Sequence, residues 1–143
     1  MIQQGLTNSF KQEMLQAGQN LATDTLRMAL YTAFSDIGQL TTVYTTDNEV
    51  TGTGYTAGGV VMTGVTISTE TTGRDAGTVY VNFDNVSWAG ADFTARGALI
   101  YNETQGNASV AVLDFGSDKT FSPTSNTVTM PANTATTALI RFP

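Results

Sequence analysis

Hydrophobic residues recur at every second position over most of this chain. In "DTLRMALYT", Leu26, Met28 and Leu30 alternate with Arg27, Ala29 and Tyr31, the period of a half-buried strand. Further strands are predicted at Val60–Ser68, Thr78–Asp84, Ala95–Asn102, Ser109–Phe115, Asn126–Met130 and Thr136–Phe142. The stretches "RDAG", Arg74–Gly77, and "TQGNA", Thr104–Ala108, supply turn residues for hairpin connections. The N-terminal region has a different period. Phe10, Met14, Ala17, Gly18 and Leu21 recur at helical spacing, and Ser9 with Gln12 fits a capping box. One amphipathic helix is therefore predicted over 9–21. It carries no charge after Glu13. Its apolar face is expected to dock on the sheet, because a membrane-surface helix needs a Lys/Arg-rich polar face.

Short strands at regular spacing, joined by Gly/Asn/Asp turns, predict an all-β fold, a β-sandwich of jelly-roll type with one N-terminal helix. No internal repeat or linker divides residues 1–143, and the length fits one domain. Between the first strand and the next lies a long polar segment, 33–59. Structureless segments beyond ~12–15 residues are usually functional, so 33–59 is expected to be an extended interaction segment. The C-terminal "TTALIRFP" is apolar throughout and is expected to be tied into a strand or a subunit contact.

Composition narrows the function classes. Charged residues make up only 13% of the chain, and Thr, Ser, Asn and Gln carry most of its polarity. The six basic residues, Lys11, Arg27, Arg74, Arg96, Lys119 and Arg141, are scattered singly, and the net charge is −6. Nucleic-acid binding needs clustered cations, so nucleic acid is not expected as a partner. No apolar run approaches ~20 residues, so no membrane span is expected. There is no cysteine, and no histidine. Triads built on histidine and ordinary zinc sites are thereby excluded.

The glycine-rich "EVTGTGYTAGGVVMTGV", Glu49–Val65, invites a phosphate-loop reading. A dinucleotide fingerprint needs G-x-G-x-x-G opening a helix. Here Gly52 and Gly54 precede "YTAGG" and a β-branched run, and no lysine lies between Lys11 and Lys119. The glycines are read instead as permitting positive φ and close backbone approach. "GSDKT", Gly116–Thr120, lacks S-x-x-K spacing and reads as a charged turn. The acids Asp47, Glu49, Asp75, Asp84, Asp92 and Asp118 fall mostly at turns. Of these, Asp47 and Glu49 are the best oxygen pair for Ca²⁺, but a solvated loop is the simpler reading. Trp88 follows the alternating Val79, Val81, Phe83 and Val86 and is expected in the core rather than on a sugar-binding platform. No cofactor and no metal is expected.

Several segments together resemble a family of small tailed-bacteriophage virion proteins: "FKQEMLQAGQNL", "DTLRMALYT", "GYTAGG", "VNFDNVSWAGADFTARGALIYN" and "VAVLDFGSDKTFS", with "LIRFP" closing the match. The likeness runs from Phe10 to Phe142 and brings no set of functional residues with it. It implies a non-enzymatic, many-copy protein of the particle, with capsid decoration (cement) as the expected role. The implied partners are the major capsid protein and further copies of the chain, as a dimer or trimer. The implied location is the capsid surface, after synthesis in the host bacterial cytoplasm. The expected interface is the segment containing Tyr44, Glu49, Gly52, Gly54, Tyr55, Gly58 and Gly59, together with Phe142. Tyr44 and Tyr55 are its expected anchors, since tyrosine is enriched at binding hot spots. The alternatives are a tail, fibre or neck component touching the host surface, and a small carbohydrate-binding module.

Overall fold

A computed structural model describes all residues, Met1–Pro143. The fold is all-β, with a single short helix and antiparallel sheets. No helix is long and apolar enough to cross a membrane. The elements are β1 (Gly5–Leu6), α1 (Asn8–Leu15), β2 (Leu26–Tyr31), β3 (Val60–Val61), β4 (Thr66–Thr69), β5 (Val79–Asn82), β6 (Val86–Ser87), β7 (Phe93–Asn102), β8 (Ala108–Phe121), β9 (Thr127–Val128) and β10 (Ile140–Phe142). Five strands form the main sheet in the order β1-β8-β7-β2-β3. Three form a second sheet, β10-β5-β4, and β6 pairs with β9.

The hairpin of β7 and β8 is the centre of the main sheet. Its turn is the predicted "TQGNA", with Asn107 at φ 62°. β7 is buried without a break from Gly97 to Asn102, as a strand covered on both faces must be. β8 extends well past its predicted end at Phe115. "GSDK" is not a turn but part of this strand, where Phe115–Asp118 bulge out between the Asp114–Gly97 and Lys119–Ala95 pairs. The Asp114 carboxylate fixes that bulge by accepting from Arg96 Nε (3.0 Å) and the Gly116 N–H (2.9 Å). Lys119 then turns inward onto the Thr127 carbonyl at 2.7 Å.

Other boundaries differ from the pattern for local reasons. The expected strand Val60–Ser68 is split between two sheets, because Gly64 (φ 67°) bends the chain between β3 and β4. Only Thr127–Val128 and Ile140–Phe142 pair within the two C-terminal strands predicted. The helix has eight residues and ends six short of its predicted end at Leu21. Its N-cap is Thr7, not Ser9, with Thr7 Oγ1 accepting from the Phe10 N–H at 3.3 Å. It stops at Leu15 because Ala17 turns left-handed (φ 55°). The Gly18 N–H then reaches back to the Glu13 carbonyl at 2.7 Å, the six-to-one closure of a Schellman motif. Of the expected apolar face only Phe10 is buried within the helix, while Leu21 reaches the core from beyond it.

Both faces of the main sheet are covered. One side carries a cluster of 22 buried residues around Met28, Leu30, Ile100, Val110 and Phe121, into which Trp88 packs edge-on to Phe121. The other side carries a cluster of seven: Ile2, Ala29, Tyr31, Ile37, Leu99, Tyr101 and Val112. Ala29 and Tyr31, expected on a solvent face, are fully buried. The residues that bury them come from the N-terminus and from segment 33–59, through Ile2, Ile37 and Tyr44.

Ala17 is exposed and sits where a glycine costs nothing sterically. Ala17→Gly is expected to raise stability by about 0.5–1 kcal/mol, read as a higher urea midpoint at unchanged slope.

Candidate functional site

The segment singled out by the sequence is folded onto the main sheet by one carboxylate. After β2 the chain turns at Thr45–Asn48, where Asn48 has φ 60° and the Asp47 N–H donates to Thr45 Oγ1 at 3.1 Å. It then runs back along the open edge of β2. The Thr32 N–H donates to the Asn48 carbonyl and the Val50 N–H to the Leu30 carbonyl, each at 2.9 Å, around a Tyr31–Glu49 bridge. The pairing resumes only at β3, where Val60 faces Met28. Residues 51–58 between them leave the ladder.

That detour removes the backbone acceptor that the Leu30 N–H would otherwise meet in the ladder. Tyr55 replaces it: its hydroxyl oxygen accepts from the Leu30 N–H at 2.9 Å. The same hydroxyl donates to Glu49 Oε1 at 2.6 Å. Glu49 is only 8% exposed. Its Oε2 accepts from the Tyr44 hydroxyl at 2.6 Å, and its Oε1 accepts also from the Gly58 N–H at 2.8 Å. No cation lies in ion-pair reach of it among the three ion pairs of the chain. Three short donors therefore do the work of a counter-charge, as a buried carboxylate requires.

Contacts with β2 and β7 hold the donors in place. Tyr44 stacks on Tyr101 of β7, with ring centroids 4.7 Å apart. The Tyr101 hydroxyl donates to the Gly58 carbonyl at 2.6 Å, and Arg27 donates to the Gly59 carbonyl at 3.2 Å. Tyr31 donates to the Thr45 carbonyl at 2.6 Å. Four of the chain's five tyrosines thus meet around one acid. Burial, and then the hydrogen bond from its own hydroxyl to Glu49, push the Tyr44 and Tyr55 hydroxyls far above the ordinary tyrosine range. Burial and then the Glu49 charge do the same to Tyr31. Burial raises Tyr101 too, against the opposing pull of Arg27.

The glycines are explained at the same place. Gly59 lies against β2 so closely that a Cβ would fall 1.8 Å from the Met28 carbonyl oxygen, and its φ is 74°. Gly54 (φ 82°) lies close on the Gly90 carbonyl, where a Cβ would fall 2.4 Å away. The close approach expected of these glycines is made within the chain. Glu49, Gly58 and Gly59 are buried, Gly52 and Gly54 are exposed, and Tyr44 and Tyr55 are half-buried with their hydroxyls committed to Glu49. The two tyrosines anchor the segment to its own sheet, each leaving part of its ring exposed. Phe142 is not part of this group. It lies in β10 of the second sheet and is 37% exposed. Of the two acids expected in a solvated loop, Asp47 is exposed on the turn, whereas Glu49 is buried with its oxygens facing three donors.

Sequence reasoning named Tyr44, Glu49, Tyr55 and Gly58 but missed Tyr31, Tyr101 and Arg27. The signal for Tyr31 was misread as a solvent-facing position of a one-sided strand. Comparison of the chain with protein-family models, with curated proteins and with solved structures gave no match.

Removing the hub is expected to be costly. Glu49→Ala should lower stability by roughly 2–4 kcal/mol and Tyr55→Phe by roughly 1–2 kcal/mol, the latter by orphaning the Leu30 N–H. In denaturant titrations the double variant should lose less than the sum, because the two share a bond. The tyrosine shifts also set a pH dependence. A group with a raised folded pKa stabilises the fold below its unfolded value, here 10.0, and that stability is lost as pH rises. The urea midpoint should be flat up to about pH 9 and fall steadily above the unfolded tyrosine value.

Proposed function

We propose that this chain is a non-enzymatic structural protein of a bacteriophage virion, serving as a capsid decoration (cement) protein that acts through contact area. Two things support the reading. One is the resemblance that runs from Phe10 to Phe142. The other, which carries it, is the outer side of segment 33–59. Phe34 and Leu40 are 83% and 84% exposed, and Val43 is 47% exposed. They stand on ordered backbone. Leu40 lies in a turn closed by the Thr41 N–H donating to the Gly38 carbonyl and the Gly38 N–H donating to Thr41 Oγ1. Phe34 follows Thr32, whose Oγ1 accepts from the Phe34 N–H.

Exposed apolar groups held rigid in this way lose little freedom on docking, which is how contact area becomes affinity. A stable contact needs about 1,200–2,000 Å² in total, and a lattice of neighbouring copies multiplies modest contacts. In this reading the segment is the interaction element expected from the sequence, with the anchors moved. The Glu49 group faces inward and makes the segment stiff, while Phe34 and Leu40 face outward to the partner. The partner is the major capsid protein, and the sandwich of jelly-roll type belongs to the same proposal, with the two larger sheets as its layers.

Quantitative mass spectrometry of purified particles tests this directly. The expected ratio to the major capsid protein is near one or a simple fraction; a ratio below roughly one in ten would move the protein to the tail, and absence would end the proposal. The paired variant Phe34→Ser, Leu40→Ser is expected to lower occupancy on particles by at least about tenfold while leaving the urea midpoint unchanged.

A further inference from the structure

One cleft of the molecule is lined by no residue of segment 33–59. Its volume is about 480 Å³, and it separates β1 and the middle of β8 from the stretches Val128–Pro131 and Thr136–Leu139 with Arg141. Leu6, Leu113 and Phe115 form one apolar wall, Met130 and Leu139 the other. All but Met130 are only partly buried against the core.

Two features beyond its apolar walls define what the cleft can hold. The first is strand edge that no neighbouring backbone occupies, so that an added strand would take the place of the Gln4 side chain on β8. β1 pairs only with Ala111 and Val112 of β8. At Asp114 the N–H is met not by backbone but by the Gln4 side-chain oxygen, at 3.0 Å. On the other wall β10 is an edge strand, paired only with β5. Edge groups of this kind are matched by the alternating donors and acceptors of another extended chain. The second feature is charge. The Asp114 carboxylate is occupied by Arg96 and the Gly116 N–H. Arg141 takes part in none of the chain's three ion pairs. The uncommitted charge at the cleft is therefore positive, in a chain of net charge −6. β4 is also an edge strand, but none of its residues lines this cleft.

We propose that this cleft takes an extended peptide segment of a partner polypeptide, adding a strand between β8 and β10. Its alternate side chains are apolar and sit between the two walls, and one acidic side chain pairs with Arg141. This interaction does not involve Phe34 or Leu40, so it stands or falls apart from the virion reading.

The test is an NMR titration of the ¹⁵N-labelled full chain with acetyl-Thr-Val-Glu-Val-Thr-amide. The expected result is shift changes and slowed amide exchange confined to Leu113–Phe115 and Ile140–Phe142. An analogue N-methylated at alternate amides, which cannot pair with a strand edge, should not bind. Arg141→Glu should bind the peptide about fivefold more weakly and should prefer the analogue with Lys in place of Glu. The Arg141→Glu spectrum away from the cleft reports that the fold is kept. Three outcomes overturn the proposal. One is no change on titration. Another is equal binding of the N-methylated analogue, which would make the cleft a site for small apolar molecules. The third is protection of the same edges by raising protein concentration alone, which would make the occupant a second copy.

Discussion

A carboxylate taken out of water must find donors or a cation, and the architecture of this protein follows from how Glu49 meets that demand. The hub joins three chain regions that are far apart in their tasks: the turn after β2, the glycine-rich detour and the surface of β7. Each donor does a second job. Tyr55 completes the edge of β2, Tyr44 covers Tyr101, and Gly58 offers its carbonyl to Tyr101. Removing one member therefore disturbs both a charge and a strand edge. Networks of this kind are worth more than their pairwise parts when every member is satisfied.

The consequence for packing is a sheet with two cores. A β-strand that alternates apolar and polar residues is stable with one face in water. Here the second face holds Tyr31, Leu99, Tyr101 and Val112, and would be an exposed apolar patch without Ile2, Ile37 and Tyr44. The long segment covers it while keeping its own polar backbone paired, through the Thr42–Tyr44 stretch on β8 and the Asn48–Val50 stretch on β2. A second polar network does similar work beside the β7–β8 turn. Gln19, Asn102, Asp24 and Ser109 tie the chain after the helix to the hairpin turn. Buried polar groups in this protein thus fasten irregular chain to regular chain.

Such fastening also shapes the surface. A segment pinned from within can display Phe34 and Leu40 without collapsing onto them. The edge strands β10 and β4 belong to the three-stranded sheet, apart from that segment. Segment 33–59 thus carries exposed Phe34 and Leu40, and the three-stranded sheet carries two edge strands.

The sequence by itself determined the β-class, the presence of a single N-terminal helix, the β7–β8 hairpin and the burial of Trp88. These depend on local period and turn chemistry, which are written in adjacent residues. It also marked segment 33–59, and within it Glu49, Tyr44, Tyr55 and Gly58, as unusual. It did not reveal the role of those residues, because a tyrosine hydroxyl looks the same in sequence whether it meets a partner or a carboxylate six residues away. Tyr31 was misplaced for a related reason: period two says which residues share a face, not whether that face is covered. The helix ended early because the Ala17 turn and the Gly18 contact outweighed a spacing that still fitted a helix. Only the tertiary structure decided that 33–59 folds back on its own sheet, since burial of Glu49 depends on donors brought from β2, β7 and the detour at once.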